Sequence, residues 1–136
     1  MTPKFRAYDS GSLSRMYQPD EVMVGNGDIW IIDEDSAAGE WIVNNDIHLM
    51  QSTGLKDDLD KEIFEGDVIL WTYWDEFEDS GRAKIIFDKG MFKLLDIHTE
   101  KEVWDSLSDC IENCNVFLQG NIYENPELPE LLEEKE

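Results

Sequence analysis

Between Leu49 and Leu70 the chain runs through strand end, turn, polar loop, short apolar approach, Gly-Asp corner and strand. This succession constrains the fold most, because it joins two stretches that both read as short β-strands. Gly54, after Ser52-Thr53, is free to take the positive φ of a tight turn. Asp57, Asp58 and Asp60 with Lys56 and Lys61 read as an exposed loop, since burying such a cluster is costly. Ile63-Phe64 then approaches Gly66-Asp67, and Val68–Trp74 follows as a run of β-branched and aromatic residues. A Gly-Asp corner feeding a long strand is how small barrels often begin.

Upstream, Phe5–Tyr8 alternates as a first strand, Asp9–Ser12 turns, and Arg15–Tyr17 returns as its hairpin partner. Val22–Val24, Gly25-Asn26-Gly27-Asp28 and Ile29–Ile32 form a strand, turn, strand signal. Trp41–Val43 and Ile47–Met50 add two short strands around Asn44-Asn45-Asp46. Residues 1–52 are therefore an N-terminal β-hairpin unit, and 53–66 a connecting loop.

Residues 67–136 form the second part. Asp75–Gly81 is an acidic loop, and Ala83–Phe87 and Met91–Ile97 flank Asp88-Lys89-Gly90 as a three-residue hairpin loop. Glu102–Trp104 is a further strand, Asp105–Glu112 has the cap and apolar spacing of one short helix, and Asn115–Tyr123 returns to strand. Asn125 caps a short C-terminal helix with Pro126 at its first position and Leu128, Leu131 and Leu132 at helical spacing; a fraying acidic tail is the alternative. The expected fold is mainly β, an N-terminal hairpin unit plus a small SH3-like β-barrel with short helices.

Three blocks carry a family resemblance: Lys4-Phe5-Arg6-Ala7-Tyr8-Asp9; Leu49-Met50-Gln51 through Gly54-Leu55-Lys56-Asp57 and Lys61–Val68; and Gly120–Leu128. In this order and over nearly the whole chain, they resemble the YopX family, small proteins encoded mostly by phages and prophages. The chain departs at Leu59-Asp60, where the family tends to have Asn-Gly, which leaves the turn there open. The resemblance implies no activity and no catalytic residues.

Charge narrows the function classes. With 32 Asp+Glu against 11 Lys+Arg, the formal net charge is −21. Such a surface repels nucleic acid, whose affinity comes from Lys and Arg on phosphates, and anionic membranes as well. Basic proteins or divalent cations are the electrostatically permitted partners; a merely soluble acidic surface is the plainer alternative. Hydrophobic content of 41%, with five Trp, six Phe and four Tyr, marks a folded chain. Cys110 and Cys114 are too few for a disulfide framework or a structural zinc site. The N-terminus lacks the apolar run of a signal peptide, and no stretch reaches membrane-span length, so a cytoplasmic location is expected.

Few residues invite chemistry. An EF-hand counted from Asp58 finds Ile63 where Gly is needed and Ile69 where Glu is needed. No phosphate-binding Gly-rich loop or nucleophile elbow is present, and His48 and His98 are the only histidines. No cofactor, metal ligand set or catalytic residue is assigned, and an enzyme is not expected. The most distinctive cluster is Trp71, Tyr73, Trp74 and Phe77, rimmed by Asp75, Glu76, Glu78 and Asp79. A strand with large aromatics on both faces is either doubly covered or exposes some of them, and the exposed case suits a basic or Pro-rich peptide. The function expected is a phage or prophage accessory protein that binds a protein partner without catalysis, in its sharper form by mimicking nucleic acid. The alternative is a metal-dependent or carboxylate-based enzyme using Asp57–Asp60 or His48. Aromatic content and the Leu-bearing tail point to a homo-oligomer.

Overall fold

The computed structural model of the protein describes residues 4–11, 14–33, 35, 37–73 and 80–126, Tyr73 by its backbone alone. The chain is mainly β and divides into two compact units, Met1–Ser52 and Thr53–Glu136.

In the first unit, β1 (Phe5–Asp9) pairs antiparallel with β2 (Arg15–Tyr17), the hairpin return expected from the sequence. A single 3-10 turn, Pro19–Glu21, leads to β3 (Val22–Gly25), β4 (Asp28–Ile32) and β5 (Trp41–Val43), an antiparallel sheet in that order. Asn26 (φ 53°) and Gly27 (φ 80°) make a two-residue turn with both φ angles positive, the Asn-Gly pairing whose twist matches its strands. The opening part of β6 (His48–Lys56) pairs with β1, Ala7 opposite Leu49. Ala7, Tyr17, Val22, Ile31 and Ile47 form the core of this unit. Arg15 closes one edge, stacking 4.4 Å over the Tyr17 ring and bonding Glu21 at 2.6 Å.

In the second unit the sequence expectation needs correction. Residues 53–66 are not one continuous loop: Thr53–Lys56 completes β6 and Glu62–Phe64 is strand β7 beside it, leaving only 57–61 and 65–66 as turns. Gly54 does take a positive φ, 77°, but within the strand. The Thr53 hydroxyl donates to the Ile63 carbonyl (2.7 Å) and accepts from the Leu55 N–H (3.1 Å), so the irregularity is absorbed without ending β6. At the Gly-Asp corner, Gly66 (φ 88°) donates to Ile85 O and accepts from Ile122 N–H.

From that corner run β8 (Asp67–Tyr73), β9 (Ser80–Asp88), β10 (Met91–Asp96), β11 (Glu102–Val103) and, after helix α1 (Leu107–Asn113), β12 (Cys114–Asn121). They form an antiparallel sheet ordered β11-β10-β9-β8-β12, a curled half-barrel in which β11 and β12 are the two edges. The β9–β10 loop has two residues rather than three: Asp88 pairs with Met91, and Lys89 (φ 51°) and Gly90 (φ 81°) make the turn. Ser106 caps α1 by accepting the Asp109 N–H. Ile63, Ile69, Ala83, Ile85, Leu94, Leu107, Cys110, Cys114 and Val116 form the core. The C-terminal helix expected around Leu128, Leu131 and Leu132 lies outside the described residues.

Candidate functional site

The acidic loop of the sequence signature is a structural lock. Asp57 is only 6% exposed. Its Oδ1 accepts N–H bonds from Leu59 (3.0 Å) and Lys61 (2.8 Å), and its Oδ2 accepts that of Leu118 (2.9 Å) on β12. Asp58 adds a reciprocal pair with Val116, its N–H donating to the carbonyl (2.9 Å) and its Oδ2 accepting the N–H (3.2 Å). Charged hydrogen bonds of this kind offset the cost of burying a carboxylate. Asp60 takes φ 67°, the left-handed conformation a glycine would supply in the family's Asn-Gly turn. The reading of an exposed loop is therefore wrong for Asp57, one of whose three partners comes from a strand 61 residues away.

Two further signature residues work alike. Asp67, 2% exposed, accepts the Phe64 N–H at 2.7 Å and holds the β7–β8 corner. Asn121 Oδ1 accepts N–H bonds from Tyr123 (3.0 Å) and Glu124 (2.8 Å), while the Asn125 side chain accepts the Asn121 N–H (3.1 Å).

Of the aromatic cluster, Trp71 is half-buried against the half-barrel core and meets Trp104 edge-on, ring centroids 5.5 Å apart at 88°. Gly81 lies opposite it, so close that a Cβ there would stand 2.8 Å from the indole. Tyr73 contributes its backbone to the pairing with Cys114. The Tyr73 side chain and Trp74, Asp75, Glu76, Phe77, Glu78 and Asp79 lie outside the described residues. His48 is exposed, with its Nε2 3.1 Å from the Ser10 hydroxyl. Burial pushes the Cys110 and Cys114 thiols up, away from the thiolate form that reacts. Two open clefts in the second unit, one beside Val68 and Ile97 and one beside Leu55 and Phe92, measure about 170 and 270 Å³. Both are below the size usual for small-molecule sites.

The feature that sequence reading missed is the exposed apolar face of the sheet β3-β4-β5, whose three strands it did identify. Directly paired residues share a face, which puts Met23, Trp30 and Val43 in one row and Ile32 and Trp41 in the next. The opposite face is buried at Val22 and Ile31, while Val24 and Ile42, at its margins, are exposed. Yet Met23 (45%), Trp41 (36%) and Val43 (44%) are exposed. The signal was present: unbroken apolar runs, without alternation, belong to strands covered on both faces.

With this geometry in hand, the comparisons are direct. The profile of the YopX protein family matches residues 4–131. The chain belongs to the YopX family. Protein EF1440 from Enterococcus faecalis has a similar crystal structure: 26% identity, 95% of this chain and 99% of that one covered, TM-score 0.61. Protein yopX from Bacillus subtilis, 18% identical over 92% of this chain and 96% of its own with TM-score 0.61, shares the fold. Comparison with curated proteins gives no match. Asp57, Asp67 and Asn121, all within the signature blocks of this YopX chain, are thus residues that lock its turns and corners. Among the described residues, no helix is long and apolar enough to cross a membrane and no group of three or more His, Cys, Asp and Glu is placed to hold a metal ion.

Proposed function

We propose that this YopX chain is a phage or prophage accessory module that binds a basic protein without catalysing a reaction. The observation that carries it is how the charge is distributed. From Met16 to Leu55 there is not one Lys or Arg, while Asp20, Glu21, Asp28, Asp33, Glu34, Asp35, Glu40 and Asp46 fall in that span. A field of one sign draws a partner of the other and speeds its approach. The carboxylates of Asp9, Asp33, Asp57 and Asp96 are turned onto nearby backbone N–H groups at turns, which favours the plain acidic surface over phosphate-like mimicry. An enzyme built on Asp57 has little support, since both its oxygens already hold backbone. Affinity capture from a host lysate at low and high salt, read by mass spectrometry, tests the proposal. A basic protein that salt releases is the expected result; recovery of the bait alone overturns it.

A further inference from the structure

We infer that the outer face and free edge of the β3-β4-β5 sheet are where the partner docks, as an extended apolar segment with basic residues at its ends; this rests on the proposed function. The face carries Met23, Trp30, Trp41 and Val43, two of them tryptophans, the residue type that most often anchors interfaces. Among the described residues, the ladder of the sheet ends at β5. Asn44 N–H donates to Ile29 O and Asp33 N–H to Glu40 O, which by antiparallel alternation turns Ile42's polar backbone toward β4 and that of Trp41 and Val43 outward. A strand added there extends the ladder, and its alternate side chains continue the outer rows.

Charge selects the occupant. Asp33, Asp35 and Glu40 stand at one end of β5, and Asp28 and Asp46 at the other, with Asn45 bonding Asp28 at 3.0 Å. A second copy of the chain brings the same carboxylates against these and is repelled. A segment with Lys or Arg at either end of an apolar centre satisfies both the rows and the rim.

The test is a titration of the full chain with a synthetic peptide alternating Val and Lys, against a Val-Glu control, followed by backbone amide NMR shifts. Shifts over residues 22–32 and 41–43 are expected from the Lys peptide alone, with affinity falling about tenfold in Val43→Thr and in Met23→Ser, equivalent to about 1.4 kcal/mol. Both substituted side chains are exposed, so both variants should keep the parent circular dichroism. Binding that these variants leave unchanged overturns the location and leaves the acidic-module reading intact. No binding of the Lys peptide overturns both. Concentration-dependent self-association lost in the same variants assigns the face to a second copy and overturns the proposal.

Discussion

The signature turn around Asp57 and the sheet β3-β4-β5 manage their difficult groups in opposite ways. Around Asp57 a charge is buried and every carboxylate oxygen is met by backbone N–H groups, two from its own turn and one from β12. On the sheet, large apolar side chains are left in water, with their carboxylates confined to the strand ends. The first arrangement is complete within one chain; the second leaves apolar surface uncovered among the described residues. The most recognisable residues of such a chain mark what the fold requires, and the unrecognised ones mark where binding is to be sought.

The largest loss of stability is expected from Asp57→Ala. Three N–H groups lose their acceptor, and stability should fall by about 3–5 kcal/mol, seen as a lower urea midpoint. Asp57→Asn keeps one acceptor oxygen and should recover part of that loss. Gly81→Ala is next: its Cβ meets the Trp71 indole at 2.8 Å and forces it off Trp104. Overpacking of this kind costs about 1–3 kcal/mol, and near-UV circular dichroism should report the displaced indole. Asn121→Ala removes the acceptor of two N–H bonds and should cost about 1–2 kcal/mol in the same unfolding assay.

On the other side of the comparison, Met23→Ser and Val43→Thr should change stability by no more than about 0.5 kcal/mol, as exposed positions do. A larger loss would mean that the outer face is part of the core after all. The smallest effect is one of pH. Burial works to raise the Asp96 carboxyl, but N–H bonds from Thr99 and His98 outweigh it and hold the group below its ordinary 3.8. A depressed carboxylate stabilises above that ordinary value and loses the contribution as pH falls through its folded value. Asp96→Asn should therefore lower stability slightly at neutral pH, leave it nearly unchanged in strong acid, and so flatten the acid limb of the stability–pH curve below about pH 4.

Local signals were legible wherever local chemistry decides. Asn26-Gly27 announced its turn because positive φ at both positions is a property of those two residues, and Ser106 announced its helix through a bond three residues long. Distant partners hid the rest. Asp57 looked exposed because its neighbours in sequence are charged, while the group that justifies its burial is Leu118 N–H. Gly54 looked like a turn because Ile63, ten residues on, supplies the acceptor that keeps Thr53 in a strand. The runs in β3, β4 and β5 identified strands correctly, but whether both faces are covered depends on what else the chain brings to them.

The Asp57–Leu118 bond also has a consequence in time. A chain made from its N-terminus has Asp57 in hand long before Leu118 exists, so the charge at the signature turn must wait in solvent. Residues 1–51 hold all the strands of the first unit's ladders and have no such wait. During synthesis the first unit is therefore free to settle early, whereas the half-barrel closes its lock only as β12 arrives, a long-range pairing that is slow to find. The order in which the protein becomes native is written in the distance between one aspartate and one amide.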